Sequence, residues 1–398
     1  MKLEKDLNIL ILSHFFVKTI SAGPPQDVRD FLLPRVKSII YIEHPFPYNA
    51  ERGEDTRSAV SVYENGVLKK QVYFPAWKGP DVIFYLKDVL VTQWVILKFW
   101  RRIDVCIALD NLNTIAVLFW RKLGIIKKLV YYTIDYDPRR FKNKLLNFIY
   151  HFIDKICCYY TDCIWILSER MMQGRKKKGV DITRCAASII VPMGAHLSRI
   201  NKLSLNDIER HTLVYVGTLS RQYGVQMILE ILPDLKIKVP QVKFLVIGKG
   251  DYANVLQELA GQKGLSGTVE FKGFIEDNNE VEKILCRCAV GLAPYVPFED
   301  NYIYYADPGK PKLYLGCGLP IIITRFPAIA DEIDKRGAGI GVEYNAESLK
   351  EAILKLLKDD EYYGRCRENA VRFSQEFDTN YILDKALKQT ICLNNNNN

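Results

Sequence analysis

Short apolar runs rich in β-branched residues recur along the whole chain. They begin with NILILS at 8–13 and SIIYIEH at 38–44, and the last is LPIIIT at 319–324. Apolarity that is nearly continuous instead of alternating is typical of strands buried on both faces of a parallel sheet. The same pattern occurs at 105–110, 128–135, 163–168, 188–194, 212–217, 242–248 and 289–295.

Helical patterns lie between these runs. VQMILEILPDL, NEVEKILCRC and ESLKEAILKLLKD repeat apolar residues at spacings of three and four, as an amphipathic helix requires. Strand and helix alternate at roughly 25 to 30 residues, a spacing that favours βαβ units. The sequence therefore predicts an α/β protein with doubly wound parallel sheets in both halves.

The length of 398 residues predicts two domains, because a single hydrophobic core stops growing below this size. We place an N-terminal domain at 1–200, a second domain at 201–375, and at 376–398 a helix that returns toward the first domain and ends in a disordered asparagine tail. Two open parallel sheets that face each other bind ligands at the carboxyl ends of their strands. The cleft between the domains is therefore the expected active site.

Positive charge is concentrated in the first half. Residues 1–200 contain 31 lysines and arginines against 19 acidic residues, whereas 201–398 contain 24 against 27, and segment 98–178 alone has 17 against 7. This excess indicates an anionic partner of one domain, such as phosphates, an acidic lipid surface or nucleic acid. The alternative is a solvated basic face without a ligand. Nucleic acid is the least favoured partner, because no DNA- or RNA-binding signature accompanies the charge.

The ten cysteines form no CxxC motif and accompany no histidine cluster, so the sequence indicates neither a zinc site nor a redox motif. Several of them, such as Cys106, Cys163 and Cys317, fall inside apolar runs, which suits a reducing cytosol. The N-terminal apolar run has only five residues and follows Glu4 and Asp6, which predicts a strand instead of a signal peptide. No apolar stretch reaches the length of a membrane span.

Three glycine-containing loops of the second half are candidates for binding phosphate. YVGTLSRQYGV (215–225) places Gly217 at a strand end and Arg221 before a helix, and VIGKGD (246–251) contributes Gly248 and Gly250. In ADPGKPKLYLGCGLPIII (306–323), Lys310 lies near the start of a short predicted helix. Glycine lets backbone amides approach a phosphate, and a helix N-terminus favours negative charge. The alternatives are ordinary α/β turns and a plain surface lysine.

These segments, together with VEFKGFI and VGLAPY, resemble the donor domain of GT-B glycosyltransferases of family 4 over residues 212–375. The resemblance implies two Rossmann-like domains facing across a cleft, and sugar transfer from a nucleotide-diphosphate sugar with retention, without a metal and without a further cofactor. By position, Gly217 and Arg221 would approach the diphosphate, Lys310 would pair with its charge during transfer, and Ile275 would contact the base. The remaining expected nucleotide-binding residues are Gly248, Gly250, Asp307 and Gly309.

Three positions depart from the family pattern. Its two glutamates correspond to Tyr305 and Leu313, and a further lysine corresponds to Tyr223. Recognition of the donor sugar is normally the task of the first glutamate, which Glu299, Asp300 or Asp307 would have to replace. Loss of activity is the alternative.

The first domain matches the family less closely. Gly23, in GPPQDV, fits a glycine loop that contributes to donor phosphate and acceptor binding. Asp135, in YYTIDYDP, stands where many relatives have histidine, and its carboxylate could orient the acceptor hydroxyl or accept its proton. The alternative for Asp135 is a turn-forming role before Asp137-Pro138. His14 and His44 are further strand-end candidates, although a lone histidine is more often structural.

The segment RRFKNKLLNFIYHFIDKICCYY (139–160) alternates cations with apolar residues, a pattern that suits docking on an anionic leaflet and hence a lipid-linked acceptor. The alternative is that its apolar stripe faces the core. We therefore predict a hexosyltransferase-type glycosyltransferase (EC 2.4) that builds a surface polysaccharide or glycolipid, in the cytoplasm or on the cytoplasmic face of the membrane. A sugar-nucleotide epimerase and a non-catalytic, degenerate GT-B subunit are the alternatives.

Overall fold

The computed structural model describes residues 4–15, 23–46, 55–77, 79–99, 103–298 and 302–393. The chain forms two compact units. The first unit comprises the residues up to Val191 together with those from Leu383 onward. The second unit comprises Pro192 to Ile382. These breaks lie nine residues before and seven residues after the predicted positions 200 and 376. The asparagine tail, Glu299 and Asp300 lie outside the described residues.

The early break after Val191 has a local cause. The segment that follows it is bonded to the end of the second unit, because Ala195 donates its backbone N–H to the Phe377 carbonyl at 2.8 Å and accepts from Thr379 N–H at 3.1 Å. A Cβ on Gly194 would lie 2.5 Å from Thr379 Oγ1, so a glycine is needed for this close approach.

The sheet of the first unit has eight strands in the order β4-β3-β2-β1-β5-β6-β7-β8. They are β1 (Asn8–Phe15), β2 (Ser38–Pro45), β3 (Ser58–Glu64), β4 (Val67–Phe74), β5 (Val105–Leu109), β6 (Leu129–Thr133), β7 (Cys163–Ile166) and β8 (Ala187–Ile190). Strands β3 and β4, which were not predicted, add an antiparallel hairpin to the edge of this otherwise parallel sheet. Asn65 and Gly66 close it with φ of 50° and 79°, the positive values that a tight hairpin turn requires.

The helices of the first unit are α1 (Pro24–Leu32), α2 (Asp81–Lys98), α3 (Asn111–Lys122), α4 (Lys144–Tyr160) and α5 (Glu169–Lys177). Helices α2 and α3 cover one face of the sheet, where Val95 and Val117 share a core with Leu10 of β1. Asn111 Nδ2 donates to the Tyr150 carbonyl at 3.1 Å and joins α3 to α4. The three helices therefore lie side by side.

The sheet of the second unit has six strands, all parallel, in the order β11-β10-β9-β12-β13-β14. They are β9 (Thr212–Val216), β10 (Lys243–Ile247), β11 (Val269–Gly273), β12 (Val290–Ala293), β13 (Ile321–Thr324) and β14 (Gly339–Val342). From β9 the chain adds β10 and β11 on one side, and it then adds β12, β13 and β14 on the other side, so the strand order reverses between β9 and β12. Ligands of open α/β sheets bind at the carboxyl ends of the strands at such a reversal.

The second unit contains α6 (Val225–Lys238), α7 (Ala253–Gln262), α8 (Asn278–Arg287), α9 (Gly309–Gly316), α10 (Ile329–Lys335), α11 (Ala346–Lys358) and α12 (Asp360–Ser374). Helix α9 is the short helix predicted around Lys310, and Gly318 follows it with φ of 78°. The last helix, α13 (Thr379–Cys392), continues into the first unit, where Trp165 Nε1 donates to Thr390 Oγ1 at 2.9 Å. Within the described chain, no helix is both long and apolar enough to cross a membrane.

Candidate functional site

The amine of Lys310 is buried in the second unit. Lys310 is the second residue of α9, and among the described residues its Nζ has no hydrogen-bond partner. Three tyrosine rings surround it, with ring centroids 3.6 Å (Tyr215), 4.9 Å (Tyr223) and 5.3 Å (Tyr295) from Nζ. We call this arrangement the tyrosine cage. A plain surface lysine does not fit these contacts.

Burial lowers the pKa of the Lys310 amine well below its usual value, and no carboxylate of the described chain opposes this effect. A buried ammonium without a counter-ion is costly, whereas the same ammonium next to a bound anion is stabilised. The tyrosine cage is therefore suited to an anionic ligand that completes it.

The position of Gly217, which has no side chain, lies next to the Lys310 amine. It follows β9 with φ of 135°, and a Cβ on it would lie 3.1 Å from Lys310 Cε and 3.4 Å from Nζ. Its own amide is already used, because Gly217 N donates to the Ile247 carbonyl at 2.9 Å. Gly217 therefore provides open space next to the amine at the reversal point of the sheet.

The second glycine turn packs against the first. A Cβ on Gly248 would lie 1.9 Å from the Gly217 carbonyl oxygen, and one on Gly250 would lie 2.1 Å from that of Leu219. Side chains at these two positions would force the turns apart. Contact of Gly248 and Gly250 with a nucleotide stays a prediction.

Asp307 is occupied by protein contacts. Its carboxylate accepts a hydrogen bond from Met193 N at 2.8 Å and forms an ion pair with the buried Lys312. Burial raises the pKa of Asp307, although Lys312 opposes this shift. These contacts fix the loop before α9, and a role of Asp307 in donor binding stays a prediction.

The other predicted donor residues occupy different settings. Gly309 begins α9, where a Cβ would make only ordinary contact with Met193 at 3.5 Å. Ile275 follows β11 and packs against the core. Arg221 is exposed and begins the short turn that ends at Tyr223 of the tyrosine cage. The structure therefore links Lys310 and Gly217 directly, and Arg221 only through its turn.

Tyr223 occupies the position at which the family carries a further lysine. Its hydroxyl lies 2.8 Å from that of Tyr302, which also accepts from Gln222 Nε2 at 3.3 Å. Burial, followed by the neighbouring Tyr302, raises the pKa of Tyr223. A ring against the Lys310 amine thus stands where a second cation was expected.

A second candidate site, which we call the polar pocket, lies at the carboxyl ends of β1, β5 and β6 in the first unit. It is a cavity of about 70 Å³, lined among others by His14, Tyr85, Asp110, Asn111, Asp135 and Arg140. Asn111 Oδ1 is buried and has no hydrogen-bond partner among the described residues. The pocket therefore presents carboxylate and amide oxygens that accept hydrogen bonds.

Asp110 has a strained backbone. Its φ of 82° is rare for a residue other than glycine. The side chain holds it there, because Asp110 accepts hydrogen bonds from Asn113 N and Asn113 Nδ2, both at 2.8 Å, and lies 2.7 Å from His14 Nδ1. Strain of this kind collects at functional sites. Asp110 was not among the predicted site residues, and its place directly after an apolar run was the signal.

His14 joins two carboxylates. Its Nδ1 faces Asp110 and its Nε2 lies 3.4 Å from Asp88 Oδ2. Burial acts to lower the pKa of His14, but Asp110 and Asp88 together raise it to about 10. His44 shares Asp88 at 3.2 Å and lies 3.0 Å from Thr92 Oγ1, and burial lowers its pKa. His14 therefore carries a charge at the pocket, whereas His44 is a neutral structural residue.

The shifted pKa of His14 predicts a pH-dependent stability. The unfolded chain releases this proton near pH 6.5 and the folded chain keeps it to about 10, so the stabilisation is complete below pH 6.5 and is lost as pH rises toward 10. We expect the free energy of unfolding to fall by up to about 1.4 kcal/mol per pH unit between pH 7 and 9. Urea unfolding at several pH values measures this slope. His14→Gln should lose it, and an equal slope in both proteins would contradict the assignment.

Asp135 lies two residues after β6 and forms an ion pair with Arg140 at 2.6 Å. Its side chain is 45% exposed, so it can still contact a ligand. Gly23 precedes α1, and a Cβ there would come no closer than 3.5 Å to its neighbours. The backbone therefore does not require glycine at 23. Binding roles for Asp135 and Gly23 stay predictions.

In the described parts of the chain, no group of three or more His, Cys, Asp or Glu side chains is arranged to hold a metal ion.

Comparisons with known proteins bear on the family and the fold of the chain. Residues 210–359 match the model of the family Glycosyl transferases group 1. Phosphatidyl-myo-inositol mannosyltransferase of Mycolicibacterium smegmatis is 26% identical over 172 residues, 42% of this chain and 42% of that protein. The chain thus matches less than half the length of the curated relatives.

Two solved structures cover nearly the whole chain. HepE of Anabaena in complex with UDP has a TM-score of 0.66 at 14% identity, covering 96% of this chain and 99% of that one. Sucrose-phosphate synthase of Thermosynechococcus elongatus has a TM-score of 0.70 at 14% identity, covering 98% and 100%. These likenesses confirm the predicted fold class. Residues 210–359 of this chain are therefore similar to the Glycosyl transferases group 1 family, and the chain has the GT-B fold.

Proposed function

We propose that the protein is a glycosyltransferase that transfers a sugar from a nucleotide-diphosphate sugar, with retention and without a metal, in the synthesis of a cell-surface glycan. The observation that carries this proposal is the buried Lys310 amine, which has no hydrogen-bond partner among the described residues and lies beside Gly217 at the reversal point of the sheet. A diphosphate is the anion that such a site would take. The HepE structure, which contains UDP, supports the same ligand class.

The reaction follows from these groups. The bond between the anomeric carbon and the diphosphate oxygen breaks, and its electron pair leaves with the nucleoside diphosphate. A bond forms from the acceptor hydroxyl oxygen to the anomeric carbon, and the diphosphate takes up the proton that the hydroxyl releases. Lys310 would stabilise the charge that develops on the leaving diphosphate, an interaction that is strongest in the transition state.

The polar pocket supports a hydroxylated acceptor. Asp110, Asp135 and Asn111 Oδ1 offer hydrogen-bond acceptors, so the ligand must bring donors, as sugar hydroxyls do. His14 and Arg140 hold the two carboxylates in place. The phosphatidyl-myo-inositol mannosyltransferase among the relatives favours a lipid-linked acceptor over a free polysaccharide. We therefore propose that the protein works in the cytoplasm, at the inner face of the membrane.

The second candidate is a non-catalytic nucleotide-binding subunit, which the tyrosines at positions 223 and 305 favour. A melting screen against UDP-, GDP-, CMP- and dTDP-sugars selects the donor, because a ligand that binds the native state raises its melting temperature. Incubating the labelled donor with a membrane extract then separates the candidates. Label in a glycan supports transfer, an altered sugar nucleotide without acceptor indicates an epimerase, and binding without turnover indicates the non-catalytic subunit.

A further inference from the structure

The exposed face of α2 is entirely apolar between its two ends. Apart from Asp81 and Lys98 at the ends, every exposed residue of this 18-residue helix is a large hydrophobic one. They recur at spacings of mostly three and four and so form one stripe: Val82, Ile83, Leu86, Leu90, Trp94 and Leu97. A helix whose outer side faces water carries polar residues there.

Helix α4 likewise exposes apolar side chains on the side that faces away from the core. Leu145, Phe148, Ile149 and Phe152 lie on its outer face, and Phe148 is 67% exposed. Asp154 and two cysteines, in contrast, are buried on its inner side. The apolar stripe of segment 139–160 therefore faces away from the core, which contradicts the alternative considered for it.

The two stripes belong to one surface, because α3 lies between α2 and α4. Phe119 of α3 is 61% exposed, and Leu123, directly after α3, is 55% exposed. We call the exposed apolar side chains of α2, α3, Leu123 and α4 the helix surface. It contains 14 of the 25 exposed large hydrophobic side chains found in the described parts of the chain. Contiguous apolar patches of this kind mark interaction sites.

The charges of the helix surface indicate what covers it. The exposed charged residues of the three helices are Lys98, Lys122 and Lys144, against Asp81 alone. Lys98 Nζ lies 4.1 Å from the Trp94 ring centroid, and Lys122 Nζ lies 5.0 Å from that of Tyr160. Lysine amines that lie over exposed aromatic rings suit the boundary between acyl chains and headgroups, where both residue types are common.

We propose that the helix surface docks on an anionic lipid bilayer, with the three helices lying in the plane of the interface. Apolar side chains would enter the acyl boundary, and the lysines would meet acidic headgroups. A second copy of this chain is the less favoured occupant, because its surface would oppose lysines to lysines. The inference rests on the proposed function, since it supplies the surface by which the enzyme meets a lipid-linked acceptor.

Co-sedimentation of the full chain with lipid vesicles tests this inference. We expect binding to vesicles of phosphatidylcholine and phosphatidylglycerol to be at least about tenfold tighter than binding to phosphatidylcholine alone. Two double variants, Leu86→Glu with Leu90→Glu and Phe148→Glu with Phe152→Glu, should each weaken binding at least about tenfold. Ile237→Glu, at an 81% exposed residue of α6 in the second unit, is the matched control and should bind as the wild type does.

Three results would overturn the inference: no binding to the anionic vesicles, double variants that bind as tightly as the wild type, or a dimer without vesicles that the double variants dissociate. Melting curves verify that each variant is folded, as expected for substitutions of exposed side chains. Nucleoside diphosphate binding, measured without vesicles, separates this inference from the proposed function. Vesicle binding by a protein that binds no nucleotide would contradict the proposed function alone.

Discussion

Lys310→Met is expected to lower kcat/KM for sugar transfer at least about a hundredfold, the usual effect of removing a group that stabilises transition-state charge. The melting temperature should stay the same or rise, because methionine fills the tyrosine cage without a buried amine that lacks a partner. A loss of activity without a loss of stability is what distinguishes a ligand-binding lysine from a structural one. Initial rates with the donor from the melting screen, together with melting curves, measure both effects.

Lys236→Met is the matched control. It removes an exposed lysine from α6 of the same unit and should leave both kcat/KM and the melting temperature unchanged. Wild-type turnover in Lys310→Met would remove the lysine from the mechanism. Equal losses in the two variants would point to the net charge of the unit instead of the tyrosine cage.

Asp135→Asn is expected to lower kcat by about tenfold to a thousandfold, because the variant loses a positioned carboxylate that would orient the acceptor hydroxyl. Nucleoside diphosphate affinity should change less than about twofold, because Asp135 belongs to the polar pocket of the first unit and the tyrosine cage to the second. Turnover and titration calorimetry measure the two quantities separately.

Asp137→Asn is the control for this prediction. Asp137 lies two residues further along the same loop, where its side chain accepts a hydrogen bond from Arg139 N at 2.8 Å. It serves the turn and should leave kcat near the wild-type value. If both variants behave alike, Asp135 is a turn residue too, which is the alternative that its position before Asp137-Pro138 suggested.

Most of the fold could be predicted because parallel strands buried on both faces have a distinctive sequence. The apolar runs at 8–13, 212–217 and 242–248 all correspond to strands. The hairpin of β3 and β4 was missed, since β4 is mostly exposed and its residues VLKKQVYF lack a buried run. The Asn65-Gly66 pair between the two strands was the available signal. Strand β14, GIGV, was not predicted either, because two of its four residues are glycines and it lacks an apolar run. A Cβ on Gly339 would lie 2.0 Å from the Ile321 carbonyl oxygen, so a larger residue does not fit there.

The candidate sites were harder to predict than the fold. Lys310 and Gly217 stand in recognisable motifs, but the burial of the amine depends on tyrosines from three separate segments, which only the folded chain brings together. Asp307 could be placed near Lys310 along the chain, whereas its ion pair with Lys312 could not be predicted. The strain at Asp110 depends on hydrogen bonds from His14 and Asn113, which lies three residues further on.

The most direct test of the central claim is a crystal structure of the protein with the nucleoside diphosphate of the donor that the melting screen selects. We predict a diphosphate oxygen within about 3 Å of Lys310 Nζ, in the space that Gly217 leaves open. A nucleotide bound elsewhere, or a Lys310 amine that stays without an anionic partner in the complex, would contradict the account.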